Sequence, residues 1–106
     1  MKPEPLRGEV WLADLGMAAK VRPVLIVSAS LEPDDYALIM VIPHTTSSHP
    51  SRHSVALAAH GLKEGSFNLQ GMLAVPLAKF IRRMSVLTSV QMRDIDQALK
   101  KWLCLE

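Results

Sequence analysis

The sequence predicts a mainly β fold: a small, strongly bent barrel whose chain ends in one helix. Two observations predict this fold class. Short apolar runs, bounded by turn residues, recur from residue 7 to residue 77, and the spacing of the apolar residues then changes near the C-terminus. Five short strands followed by an amphipathic helix are typical of a small barrel. Since the chain has 106 residues, we expect residues 1–106 to form a single domain.

The five predicted strands follow one another at close spacing. They are RGEVWLAD (7–14), RPVLIVSA (22–29), YALIMVIP (36–43), SVAL (54–57) and SFNLQGMLAVPL (66–77). The second and third are apolar at successive positions, which indicates strands buried on both faces. Gly71 inside the fifth strand indicates a bulge or a close approach of backbone, and Pro76 limits how far the pairing of that strand runs.

The C-terminal segment has the periodicity of a helix. Thr88 and Gln91 have the spacing of a capping box, so we expect the helix to begin just after Thr88. Its apolar residues fall on one face: Val90, Ile95, Leu99, Trp102 and Leu103. We expect Trp102, and Trp11 in the first strand, to pack in the core, with a dimer contact as the alternative for Trp102.

Composition and charge narrow the class of protein. The 12 basic and 10 acidic residues leave a net charge of +2, which is too weak to indicate nucleic-acid binding without a local basic patch. A single cysteine, Cys104, can form neither an internal disulfide nor a metal site alone, which fits a reducing cytoplasm. The sequence begins without a secretory leader, and no run approaches the length of a membrane span. We therefore expect a cytoplasmic protein with no membrane partner.

Histidines are the residues that first raise the question of a metal site. His44, His49, His53 and His60 lie close together in the sequence, but no pair has the spacing of a structural zinc site and no second cysteine is available. We therefore expect neither a metal ion nor a cofactor. An acid–base role of the ribonuclease type is the alternative, with His44 the best placed of the four.

Polar residues at the ends of the predicted strands are the remaining candidates for a site. Arg22 begins the second strand, and Thr45 follows the third. If these two strands are antiparallel neighbours, Arg22 lies beside Thr45. A fixed guanidinium next to a hydroxyl suits a phosphate group. The alternative is a surface salt bridge for Arg22 and an ordinary loop hydroxyl for Thr45.

The order of the motifs resembles that of the MazF/PemK family of toxin endoribonucleases. The segments that carry the resemblance are RGEVWLADL (7–15), RPVLIVS (22–28), VIPHTTS (41–47), GLKEGS (61–66), LAKFIRRMSVLT (77–88) and DIDQALKKWLCL (94–105). Together they cover nearly the whole chain.

The resemblance implies a fold, an activity and partners. The fold is the SH3-like barrel of the MazF/PemK/CcdB type, and the partners are a second copy of the chain in a homodimer and a cognate antitoxin peptide. The activity is metal-independent, sequence-selective cleavage of single-stranded RNA to 2′,3′-cyclic phosphate and 5′-hydroxyl ends. The catalytic arginine and threonine of the family fall on Arg22 and Thr45, with Thr46 as the alternative threonine if the strand end is shifted by one residue. The expected substrate-binding residues are Lys20, His44, Thr46, Ser66 and Gln70.

The sequence also departs from the family pattern. The fifth strand of the family commonly carries a Q-x-R element. Here Gln70 lies about one residue from the place of the glutamine, and Leu73 or Ala74 lies near the place of the arginine, which is missing. Other cations that can supply phosphate contacts are Lys20, Arg52, Lys79, Arg82 and Arg83. Two alternative functions therefore stay open. One is a weak or inactive copy that acts by binding its antitoxin in autorepression, and the other is a gyrase-directed poison.

Overall fold

A computed structural model describes residues 4–16, 21–47 and 49–105 of the chain. In order, the elements of this part are the strands β1 (Glu9–Asp14), β2 (Val21–Ile26), β3 (Leu38–Thr45), β4 (Ser54–Val55), β5 (Ser66–Asn68), β6 (Leu73–Pro76) and β7 (Phe80–Val86), and the helix α1 (Ser89–Leu103). Short 3₁₀ turns lie at Leu69–Gly71 and Leu77–Lys79. The predicted mainly β fold with one C-terminal helix is confirmed.

All strand pairs of the described residues are antiparallel, and β3 is a central strand that pairs with β2, β5 and β6. Along the sheet the order is β4-β5-β3-β2-β1-β7, and β6 also pairs with β3. One edge of β3 contacts β2, while its other edge contacts β6 along Leu38–Val41 and β5 at His44 and Thr45. The C-terminal end of β3 therefore lies between β2 and β5.

The central strands are apolar on both faces because each face covers a separate core cluster. Val24 and Ile26 of β2 contact the first cluster, whereas Leu25 between them contacts the second. The helix packs on the second cluster through Ile95 and the half-buried Trp102. Trp11 is 2% exposed in the first cluster, so both tryptophans pack on the core as expected.

Three strand predictions are wrong in ways that bear on the site. The predicted fifth strand is two strands, because the Asn68 side chain accepts a hydrogen bond from the backbone of Gln70 and starts a 3₁₀ turn. The strand β7 was not predicted, since Arg82 and Arg83 interrupt its apolar pattern. The third strand runs to Thr45, so His44 and Thr45 belong to the strand and not to the loop after it.

The helix has the predicted start but a narrower buried face. Thr88 and Gln91 form both hydrogen bonds of the capping box. Val90 and Leu103, however, are 58% and 46% exposed, so they lie outside the packed face. No helix in the described part of the chain has the length and apolar character that crossing a membrane requires.

Candidate active site

The pairing of β2 with β3 brings Arg22 and Thr45 to the same end of the sheet. Val24 lies opposite Pro43, and Leu25 lies opposite Ile42. Continuing this register by two residues sets Arg22 opposite Thr45, because antiparallel partners move in opposite directions along the two strands. The predicted antiparallel neighbourhood of the two strands is confirmed.

A cavity of about 350 Å³ opens at this end of the sheet, and we call it the Arg22 cavity. Four segments contribute to its wall: the start of β2, the end of β3, the turn near residue 62 and the strand β7. Its lining residues are Val21, Arg22, Pro23, His44, Thr45, Thr46, Gly61, Lys63 and Met84. Two cations, a histidine and two threonines therefore surround one space.

Arg22 is a half-buried cation with no counter-ion among the described residues. The two salt bridges of this part of the chain join Arg7 to Asp96 and Arg83 to Glu9. A surface salt bridge, the alternative account of Arg22, is therefore not found there. A partly desolvated charge without a partner is costly, and a bound anion in the cavity would relieve that cost.

His44 lies beside Arg22 as a neutral imidazole. The residue is 4% exposed, and its ring packs edge-to-face on Phe67 with 5.0 Å between ring centroids. Burial lowers the pKa of His44 below its ordinary value, and the charge of Arg22 lowers it further. Its Nε2 atom has no hydrogen-bond partner within the described ranges. At neutral pH the lowered pKa of His44 favours the uncharged ring, and its Nε2 atom is buried.

The hydroxyl group of Thr45 is oriented by the loop that follows β3. Its Oγ1 accepts a hydrogen bond from the backbone N–H of Ser47 at 3.1 Å, and Ser47 Oγ accepts one from the backbone of His49 at 3.2 Å. Such turns hold a loop by local hydrogen bonds. Because Thr45 Oγ1 already accepts one hydrogen bond, its own hydrogen is free to be donated to a ligand.

Gly65 lies so close to Thr45 that no side chain fits. A Cβ at residue 65 would be 2.2 Å from the Thr45 carbonyl oxygen and 3.0 Å from Cε1 of His44. This glycine and Lys63 are the functional candidates that sequence reasoning missed. Both lie inside the GLKEGS segment (61–66), which was named only as one of the segments that resemble the family and not for any functional residue.

A second cavity, of about 500 Å³, adjoins the first, and we call it the Glu64 cavity. Thr46 lines both cavities, while Ser66 lines the second and lies opposite Thr45 in the pairing of β3 with β5. Ser66 is 4% exposed, and its Oγ has no hydrogen-bond partner among the residues described. Gln70 is exposed on a 3₁₀ turn and lines neither cavity. Lys20 lies outside the described residues.

The other cations named from the sequence lie away from the Arg22 cavity. Arg82 and Arg83 line a different cavity, and Arg83 donates a hydrogen bond to Glu9 at 3.1 Å. Neither Arg52 nor Lys79 is among the residues that line the Arg22 cavity. That leaves Lys63 as a second cation of that cavity.

The residues at the place of the missing Q-x-R arginine lie beside the middle of β3, away from the end of β3 near Arg22. Leu73 and Ala74 belong to β6 and lie opposite Val41 and Met40. Thr45 is four residues after Val41 in β3, which is roughly 13 Å along a strand. Within the described residues, no three histidine, cysteine or acidic side chains come together as a metal site.

Comparison with known proteins gives a family match and several similar structures. The family described as PemK-like, MazF-like toxin of type II toxin–antitoxin system matches residues 6–103 of the chain. An endoribonuclease in complex with its cognate antitoxin, from a mycobacterial species, is 25% identical, with a TM-score of 0.77 over 96% of this chain and 95% of that one.

Two further structures are similar in fold. The Mycobacterium tuberculosis toxin MazF-mt6 is 23% identical, with a TM-score of 0.78 over 92% of this chain and 98% of that one. A chain of the MazE–MazF complex from Deinococcus radiodurans is 15% identical, with a TM-score of 0.79 over 98% of this chain and 100% of that one. At these identities the likeness shows the fold alone.

Proposed function

The chain belongs to the PemK-like, MazF-like toxin family of type II toxin–antitoxin systems, and from this premise we propose that it is an endoribonuclease. Its substrate is single-stranded RNA, which it cleaves in a sequence-selective manner without a metal ion. Its partner is a cognate antitoxin that blocks cleavage. A solved endoribonuclease with a similar fold, bound to its own antitoxin, supports both parts of the proposal.

The unpaired guanidinium of Arg22 is the observation that carries the proposal. It lines a cavity together with the imidazole of His44 and the hydroxyl of Thr45, and it has no carboxylate partner among the described residues. A guanidinium is well suited to a phosphate because its planar donors match the phosphate oxygens. The phosphodiester to be cleaved would therefore bind in the Arg22 cavity.

The reaction is an internal displacement at phosphorus. The ribose 2′-hydroxyl attacks the adjacent phosphorus, a bond from O2′ to phosphorus forms, and the bond from phosphorus to O5′ breaks. The products are a 2′,3′-cyclic phosphate and a 5′-hydroxyl. The nucleophile is already tethered beside the phosphorus, so positioning supplies much of the rate and no metal-bound water is needed.

Each of the three side chains has a separate role in this step. Arg22 carries the permanent positive charge of a guanidinium, and it stabilises the negative charge that develops on the five-coordinate phosphate. Thr45 donates its hydroxyl hydrogen to a phosphoryl oxygen. The imidazole of His44 accepts the proton from the 2′-hydroxyl through an intervening water molecule, because its Nε2 atom is buried, and water supplies a proton to the departing O5′.

The partners follow from the same site and from the resemblance. An antitoxin of acidic, initially disordered sequence would fold across the Arg22 cavity and place a carboxylate on the guanidinium. A homodimer and a cytoplasmic location are further parts of the proposal. They rest on the family and on the single cysteine, respectively.

Cleavage of long single-stranded RNA in the presence of EDTA tests the proposal. We expect the purified protein to cut and Arg22→Ala to lose about 10²–10³ in rate, the usual cost of one transition-state donor. Arg82→Ala removes the same charge from an exposed site at another cavity, so it should cut like the wild type. End analysis should give the cyclic phosphate.

Three other outcomes of these assays would contradict the proposed mechanism or favour one of the alternative functions. Cleavage only after addition of a metal ion would contradict the mechanism. The absence of cleavage over a wide range of sequences would favour the inactive, antitoxin-binding copy. Inhibition of gyrase in place of RNA cleavage would favour the gyrase-directed poison.

A further inference from the structure

The Glu64 cavity has the size and position of a nucleobase site. Its volume of about 500 Å³ lies within the range of small-molecule pockets. It shares Thr46 with the Arg22 cavity, and its Ser66 lies opposite Thr45 across the strand pair. A nucleotide with its phosphate in the Arg22 cavity would therefore have its base within reach of this second space.

Neighbouring residues of opposite charge line the two cavities. Lys63 lines the Arg22 cavity, and Glu64, the next residue, lines the larger one. Both residues also line a third cavity of about 360 Å³ beside Leu62. Of the first two cavities, the one assigned to the phosphate is therefore lined by the cation and the adjoining one by the carboxylate. A carboxylate repels phosphate, so its place in this cavity favours a different part of the substrate.

The polar groups of the Glu64 cavity favour one kind of base edge. A carboxylate only accepts hydrogen bonds, whereas the hydroxyl of Ser54 both donates and accepts, and the Oγ of Ser66 is buried in the cavity wall. In single-stranded RNA the Watson–Crick edge of each base is free to be recognised. Adenine, cytosine and guanine present an amino group there, whereas the single N3–H donor of uracil lies between two carbonyl oxygens, which repel an approaching carboxylate.

The cavity is also held in shape before a ligand binds. Ser51 Oγ accepts a hydrogen bond from the backbone of His53 at 3.0 Å, and Ser54 Oγ accepts one from the backbone of Ser51 at 3.2 Å. Gly65 fixes the distance between the Glu64 turn and the end of β3, since its Cβ would be 2.2 Å from the Thr45 carbonyl oxygen. The backbone at Glu64 is therefore held in place relative to the end of β3.

We propose that the Glu64 cavity binds the base next to the cleaved phosphate, and that Glu64 selects an amino-bearing base and rejects uracil. This inference rests on the proposed endoribonuclease function and deepens it, because it assigns one residue to the sequence preference. Glu64 is a specificity-determining residue and takes no part in the chemical step.

Mapping of cleavage positions in an RNA pool of random sequence tests the inference. We expect uracil to be depleted at least about fivefold at one fixed position beside the cut, since a good base contact is worth a factor of that order. Glu64→Gln replaces an acceptor by a group that also donates, so it should restore uracil at that position while still cutting RNA. Lys63→Gln is the matched control, and it should lower cleavage of all sequences equally without changing the preference.

A binding measurement separates failure of this inference from failure of the proposed function. The probes are labelled oligonucleotides with a 2′-deoxyribose at the cut site, which cannot react, and with either cytosine or uracil beside it. Tighter binding of the cytosine probe by the wild type, lost in Glu64→Gln, supports the inference. An unchanged preference in Glu64→Gln overturns it while cleavage stands. A wild type that neither cuts RNA nor binds these probes overturns both.

Discussion

Replacement of Gly65 by alanine should disable the site without unfolding the protein. The added Cβ would be 2.2 Å from the Thr45 carbonyl oxygen, and ordinary contact begins at 3.4 Å, so the two segments must separate by about 1.2 Å. Overpacking of this kind costs about 1–3 kcal/mol of folding free energy. A displacement of about 1 Å at a catalytic group costs about 100-fold in rate.

Two assays check the effect of Gly65→Ala. Single-turnover cleavage of a labelled RNA should be about 100-fold slower, and urea denaturation should show a folded protein of reduced stability. The matched control is Gly71→Ala. Its Cβ would be 3.0 Å from the side-chain nitrogen Nδ2 of Asn68 and 3.3 Å from Cγ of Pro43, so it meets side chains and no backbone carbonyl. That variant should cut RNA at close to the wild-type rate. If Gly65→Ala cleaved RNA at the wild-type rate, the close contact with the Thr45 carbonyl oxygen would not be the reason for a glycine at this position.

Two further predictions concern pH. Burial and the charge of Arg22 lower the pKa of His44, so its uncharged form predominates at neutral pH. The cleavage rate should therefore fall only when the pH drops below about 6.5, the ordinary pKa of histidine. His44→Gln should be at least about 100-fold slower with no acid limb between pH 5 and 8, and a wild-type profile in this variant would exclude the proton transfer. Burial, Arg52 and Lys101 lower the pKa of His53, whose ring lies 4.7 Å from that of Trp102. A lowered pKa stabilises the fold above pH 6.5, and this contribution is lost as the pH falls through the folded-state value. The urea midpoint should therefore drop between pH 7.5 and pH 5, and by less in His53→Phe; equal drops in the two proteins would contradict this account.

Local patterns explain why parts of the fold were predictable. The capping box at Thr88 and the helical spacing of Ile95, Leu99 and Trp102 involve residues within one or two turns of one another. The unbroken apolar runs of β2 and β3 likewise indicate burial on both faces, which the two core clusters confirm. Where the local pattern is broken, as by Arg82 and Arg83 in β7, the strand could not be recognised, because pairing with β1 stabilises it.

The candidate site was predictable only in part. Arg22 and Thr45 were named because an antiparallel pair of neighbouring strands brings the start of one to the end of the other. Gly65 was missed because its constraint comes from the carbonyl of Thr45, twenty residues away in the chain, and nothing in the sequence around it indicates that contact. For the same reason the sequence does not indicate that Lys63 lines the Arg22 cavity or that Glu64 lines the adjoining one.

The sequence by itself determined the strand-rich architecture, the capped helix and the family. Those properties depend on spacing along the chain and on short motifs in a fixed order. The tertiary structure is needed to show which polar groups line one cavity, that the half-buried Arg22 has no counter-ion among the described residues, and that Glu64 lines the adjoining cavity. These properties depend on distances between segments that are remote in sequence, and pairing and packing of the whole sheet set those distances.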